Sequence, residues 1–248
     1  MMKTNFKTIS RRIIGLWVMI ISIGFACCED DNDTLVIDLN VAEDDIEELF
    51  AVLLSYDTYG LVAQFEEVSE EIESISECEA TTTNIETESG GFNNYSYEYR
   101  FTEVYTLFCT PERNLSYTLD GVQEIDAYNY DAVHQITSDF TTTGLEETDF
   151  NEIYNGNYDR TGAWESNFNE DTYDFIYDST VVDILVSKES NTIQSGSSTF
   201  TLEQTYSRDN LTYTYGGTIT FLNEDEAQVT FDDGETFIVD LTNVSIQD

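Results

Sequence analysis

The apolar residues of the chain change period once, near residue 80. Before it they recur at helical spacing: Ile46, Leu49, Phe50 and Leu53, then Leu61, Phe65, Val68, Ile72 and Ile75 after the break Ser55-Tyr-Asp-Thr-Tyr-Gly60. Steps of three and four place one apolar stripe on each of two helices. Asn40 followed by Glu43 reads as an N-cap with its capping-box partner, and Asp44 and Asp45 suit the positive end of the helix dipole. Each stripe lasts barely two heptads, so it predicts a core face rather than a coiled-coil seam. The helical segment is expected over residues 41–79.

From residue 84 to 248 the period is two. Tyr95, Tyr97, Tyr99, Phe101, Tyr105, Leu107 and Cys109 share one parity, interrupted by Glu103. The same alternation returns in Leu115 to Leu119, His134 to Phe140, Phe150 to Trp164, Tyr173 to Leu185, Phe200 to Tyr206, Leu211 to Phe221, Val229 to Phe231 and Phe237 to Leu241. Asp233-Gly234 marks a hairpin turn between the last two. About nine strands joined by short links, with no helix to make a crossover, predict an antiparallel meander. A sheet with one apolar face must close, roll up or be covered. The expected fold is therefore mainly β: a rolled or barrel-like meander with the N-terminal helix pair packed on it.

The first residues carry a different pattern. Lys3, Lys7, Arg11 and Arg12 precede an apolar run over residues 13–26, which is shorter than the roughly 20 residues a spanning helix needs. Gly24-Phe25-Ala26-Cys27 resembles the lipobox of bacterial lipoproteins, which implies a signal peptide over residues 1–26 and acylation of Cys27 as the mature N-terminus. Cys28 offers a competing register, and an ordinary secretory signal or an uncleaved anchor is the alternative. Residues 27–40 form an acidic tether. Its Glu29-Asp-Asp-Asn-Asp33 tract resembles the export signal that sends Bacteroidota lipoproteins to the outer face of the outer membrane. That resemblance implies a surface location, with membrane contact through the lipid anchor only, since acyl chains supply about 0.8 kcal/mol per buried methylene.

Removing the signal uncovers the charge of the body. Four of nine basic residues lie before Cys27 and all fifty acids after it, so the mature chain sets five bases against fifty acids, a net charge of −45. Nucleic acid and anionic membrane need a basic face and are excluded as electrostatic partners. The 16 Tyr and 15 Phe residues argue for a packed core despite that charge. With Cys27 and Cys28 in the anchor region, Cys78 and Cys109 remain as a possible disulfide in an oxidising compartment, the alternative being two free thiols.

Candidate chemistry is sparse. His134 stands beside Asp131 and Asp139, but a Ser-His-Asp site needs a positioned nucleophile and no Gly-x-Ser-x-Gly elbow is present. One histidine and a disulfide leave no nitrogen and sulfur set for zinc. Calcium is the candidate cofactor, through Asp232, Asp233 and Glu235 or the turn Asn223 to Glu226, although neither has EF-hand spacing. Fifty acids make carboxylate pairs such as Glu152 and Glu165 unselective evidence for glycoside hydrolysis. Trp164, Tyr95, Tyr97 and Tyr99 are the candidate ligand-binding aromatics, because flat amphipathic rings stack on sugars and anchor partners; their alternation equally predicts core positions.

The whole mature chain loosely resembles uncharacterised flavobacterial-type Bacteroidota lipoproteins. The shared features are the acidic helical opening, Cys78 and Cys109 around a Tyr-rich segment, Tyr154-Asn-Gly-Asn-Tyr-Asp-Arg-Thr-Gly162, and Tyr215-Gly-Gly-Thr-Ile-Thr-Phe221. That family has no assigned activity, so no functional residues are carried over. The expected function is non-enzymatic recognition of a glycan or protein at the cell surface. A barrel-like carrier of an apolar ligand is the alternative, and a carboxylate-dependent glycan hydrolase the third.

Overall fold

The computed structural model describes residues 43–242 apart from 73, 93–94, 129 and 168–171. Cys27, the acidic tether, the Asn40 cap and the side chain of Tyr95 lie outside the described residues.

Two helices precede one sheet. Helix α1 spans Glu43–Leu54 and α2 spans Leu61–Ile72. The turn between them is set by polar contacts: the Thr58 hydroxyl donates to Val52 O at 2.7 Å, and Gly60 N donates to Ser55 O at 2.9 Å. Both satisfy carbonyls at or just after the end of α1, which lack partners within the helix. Tyr59 sits at φ +51, the left-handed region, where a bulky side chain is costly. Its ring stacks on Phe101 at 4.5 Å and lies 4.8 Å from Tyr99, contacts that offset the backbone cost.

Ten antiparallel strands follow in a meander, each hydrogen-bonded to its neighbours in chain order. They are β1 (Thr81–Phe92), β2 (Tyr95–Phe108), β3 (Asn114–Ala127), β4 (Tyr130–Thr143) and β5 (Asn151–Ser166), then β6 (Thr172–Ser187), β7 (Ile193–Tyr206), β8 (Thr212–Phe221), β9 (Glu226–Phe231) and β10 (Thr236–Asp240). The meander is as expected and the sheet is not closed, leaving β1 and β10 as its edges. The count differs by one. Strand β1, TTTNIETESGGF, has no apolar row because it lies at the edge with most side chains exposed, so hydrophobic alternation could not mark it. Phe150 and Leu211 also depart from the expected rows: they stand before β5 and β8 and are exposed.

The core lies between the inner sheet face and the helices. Tyr99, Phe101, Tyr105, Leu107, Tyr117, Phe140, Tyr154, Tyr158 and Tyr177 are buried on one face, as the alternation predicts. Phe50 of α1 meets Tyr177, Phe200, Phe231 and Phe237 within 6.0 Å, and Phe65 of α2 meets Phe140 at 5.1 Å and Tyr154 at 5.0 Å. The register shifts at Tyr154/Gly156 and again between Val182 and Val186, and such bulges increase local twist and bend the strands. At Gly156, with φ +152, a Cβ would stand 2.0 Å from Asp139 O, so close approach of β4 and β5 excludes any side chain there.

Cys78 and Cys109 form a disulfide with Cα atoms 5.6 Å apart. It ties the approach to β1 to the residue after β2, closing a loop whose constraint is worth about 3 to 4 kcal/mol in the chain-entropy treatment.

Candidate functional site

The parity break at Glu103 marks the most unusual chemistry in the fold. Glu103 points inward from β2 and is fully buried. Its Oε1 accepts from Tyr117 at 2.9 Å and lies 3.1 Å from the Tyr59 hydroxyl, and its Oε2 accepts from Tyr105 at 3.1 Å. Those donors replace water around a carboxylate placed in an aromatic row. Glu67 of α2 and Glu86 of β1 complete a cluster whose carboxylate oxygens all lie within 4.8 Å of one another. Glu67 accepts a hydrogen bond from the Tyr59 hydroxyl. Two residues along β1 and on the same face, Glu88 accepts from Tyr99 at 2.7 Å and Tyr97 at 3.2 Å.

The electrostatics follow from that geometry. Burial, then the charge of Glu103, pushes Glu67 up to about 8. Glu103 is raised by burial and by Glu86, against the lowering effect of its tyrosine donors. Carboxylates this close repel one another when ionised, which favours the protonated form of Glu67. Next to it, Glu66 is raised to about 7 by burial and by Glu70 and Glu224.

A pH dependence results. Glu67 binds its proton more tightly folded than unfolded, so its contribution to stability is complete below the ordinary carboxylate value near 4.5 and is lost as the pH rises through about 8. The melting midpoint is expected to fall between pH 5 and 8.5, and Glu67→Gln to remove at least about 3 °C of that fall. Calorimetry on both chains decides it, and equal slopes for the two would refute the assignment.

The three carboxylates are the convergent acidic group among the described residues able to hold a hard cation. Calcium takes six to eight oxygens. Both oxygens of Glu103 already serve tyrosine hydroxyls, so the cluster suits a proton or an ammonium or guanidinium group better than a closed calcium shell.

The sequence-predicted residues separate. Tyr97 and Tyr99 reach this region through Glu88. Trp164 does not: it is 1 % exposed, stacked 3.8 Å from Tyr130 and 6.0 Å from Tyr173, and belongs to the core. Asp232, Asp233 and Glu235 sit in the exposed β9–β10 turn, where Asp233 accepts from Glu235 N at 3.1 Å as a turn-forming side chain does. Glu152 is buried beside Tyr154 while Glu165 is exposed on the opposite face of β5, so the two cannot flank one bond. His134 is structural: its Nδ1 accepts from Arg160 Nε at 2.8 Å, and burial together with the Arg160 charge pushes its pKa well down, leaving a neutral ring edge-on to Phe175.

A groove of about 510 Å³ runs along the hairpin end of β1 to β6, with Tyr97, Glu98, Glu124, Asp126, Asp131 and Glu165 in its walls. Glu98 lies opposite Glu124, and Asp131 lies between Asp126 and Glu165, like-charge pairs that raise the negative potential there. The inner face of the sheet packs with α1 and α2 in one hydrophobic core.

Comparison with known protein families, curated proteins and solved structures finds no match to this chain.

Proposed function

We propose that the chain is a lipid-anchored cell-surface module that recognises a glycan or protein ligand without catalysing a reaction, and that its recognition region is the β1–β2 edge with the adjoining groove. Attachment is through Cys27, and the body needs no membrane surface of its own. One observation carries the reading: carboxylates and tyrosines from α2, β1 and β2 converge beside an open sheet edge, and the groups that set the proton affinity of Glu67 and Glu103 are all acids and tyrosines. A ligand offering hydroxyls or positive charge completes such a region. Polar side chains presented from rigid strands and a helix are the usual makings of a specific site.

A second reading draws on Glu67 alone. A carboxylic acid held protonated near neutral pH has the property of a glycosidase general acid. Against it, the neighbouring Glu103 is fully buried and occupied by tyrosine hydroxyls. Glycan and protein arrays probed with Cys27→Ser protein separate the two. Recognition predicts retained ligands, at least about tenfold weaker with Tyr97→Ala and Glu88→Gln combined, and no cleavage products. Sugar release that Glu67→Gln abolishes would establish the hydrolase instead, and arrays without any bound ligand would refute recognition.

A further inference from the structure

The two edges of the sheet are unlike. Strand β10 is five residues long, and the chain just beyond it is engaged: Leu241 N donates to Asp225 O, and Tyr56 N donates to Leu241 O. Strand β1 is twelve residues long and, among the described residues, pairs with β2 alone. It carries neither lysine nor proline, the usual guards of an exposed edge, and its outward row includes Thr83, Ile85 and Thr87, with Ile85 74 % exposed. A row of free amides and carbonyls beside β-branched side chains is a template for an added strand.

The inner side of β1 decides what that strand is. Glu86 and Glu88 project there, with Glu67 and Glu103 beyond them. A second copy paired antiparallel about Thr87 would set Glu86 opposite the copy's Glu88, repelling like charges between two strongly acidic chains. A cationic strand meets the opposite situation, since every second side chain of an added strand falls on the carboxylate side.

We propose that the β1 edge docks an extended segment of another protein that carries lysine or arginine at alternate positions, paired to β1 as an eleventh strand with its basic side chains toward Glu86 and Glu88. This rests on the recognition reading above and names the partner class. Backbone pairing supplies the register, and the ammonium or guanidinium groups supply the positive charge that the carboxylate cluster lacks. β-Branched residues on the partner's other face would extend the Thr83–Ile85–Thr87 row.

The test uses the full lipidated chain and a labelled peptide of alternating Lys and Thr, about eleven residues long, against a control of equal charge with two Thr replaced by Pro. Fluorescence anisotropy is expected to show the control binding at least about tenfold more weakly, and Glu86→Lys with Glu88→Lys to weaken the alternating peptide by at least the same factor. Glu88→Lys alone, at an exposed position, gives a smaller loss in the same direction and guards against misfolding of the double variant. Hydrogen exchange of the β1 amides slows when the peptide is bound. Equal binding of the proline control, unchanged exchange in β1, or a dimer of the chain that excludes the peptide would each overturn strand addition. If the peptide fails while array ligands still depend on Tyr97 and Glu88, strand addition alone falls; if the array ligands are also indifferent to those residues, the recognition reading falls with it.

Discussion

Arg160→Met is expected to destabilise the fold by about 4 kcal/mol, lowering the melting midpoint by roughly 10 °C, whereas Met at exposed Arg100 stays within about 0.5 kcal/mol. Arg160 projects inward from β5 and is fully buried. Its guanidinium donates to His134 Nδ1 at 2.8 Å, to Val52 O at 2.9 Å, to the Tyr158 hydroxyl at 3.2 Å and to Gln123 Oε1. Gln123 in turn donates to Thr58 O at 2.7 Å. One side chain therefore joins the end of α1 and, through Gln123, the α1–α2 turn to three central strands. Its charge sits at the negative end of the α1 dipole, which favours a cation there. Methionine fills much of the volume but strands a glutamine oxygen and an imidazole nitrogen, each costing about 1 to 3 kcal/mol when buried without a donor, and removes a charged donor from Val52 O, which keeps the Thr58 hydroxyl. Arg160→Lys should recover less than half of the loss, because an ammonium cannot reproduce the planar fork that reaches four acceptors. Gln123→Met added to Arg160→Met should cost less than its separate effect, since it removes one stranded acceptor. Denaturant melts of the four chains measure this, and a loss under about 1 kcal/mol for Arg160→Met would refute the clamp.

The parts of this architecture legible from residues alone are those where burial is one-sided. Strands β2 to β8 announce themselves through aromatic alternation because their inner faces meet the helices and their outer faces meet water. Arg160 shares the parity of Tyr154, Tyr158 and Trp164, so its inward direction was readable, but a charge in an aromatic row carries no sign of what it bonds. Glu103 was visible in the same way, as the interruption in the Tyr95 to Cys109 series. Glu67 was not, since it lies off the apolar stripe of α2 and resembles the many solvated acids around it. Its meaning depends on Glu86 of β1, a strand with no apolar row to reveal it. The candidate aromatics divided on the same ground: rings close to the sheet edge, Tyr97 and Tyr99, have polar partners, and the ring in mid-sheet, Trp164, has aromatic ones.

Phe50→Ala is expected to cost about 3 to 5 kcal/mol, the range for emptying a fully buried aromatic position, while Ala at Phe150 should be close to neutral because that ring is 87 % exposed. The two residues look equally apolar in the sequence, so the contrast tests the fold rather than composition. Phe50 is the point where α1 grips the far half of the sheet: edge-to-face contacts at 6.0 Å to Tyr177, 4.9 Å to Phe200, 6.0 Å to Phe231 and 5.6 Å to Phe237 connect β6, β7, β9 and the β10 edge. Edge-to-face pairs add about 0.5 to 1.5 kcal/mol beyond area burial. Among the described residues strand β10 pairs with β9 alone and is five residues long, tied further by the backbone bonds of Leu241 just beyond it. Loss of the Phe50 ring should therefore speed hydrogen exchange in β9 and β10 before the central strands, and it should leave the disulfide-tied β1–β2 edge protected. Uniform acceleration across all ten strands would mean that α1 supports the sheet as a whole instead of pinning one edge of it.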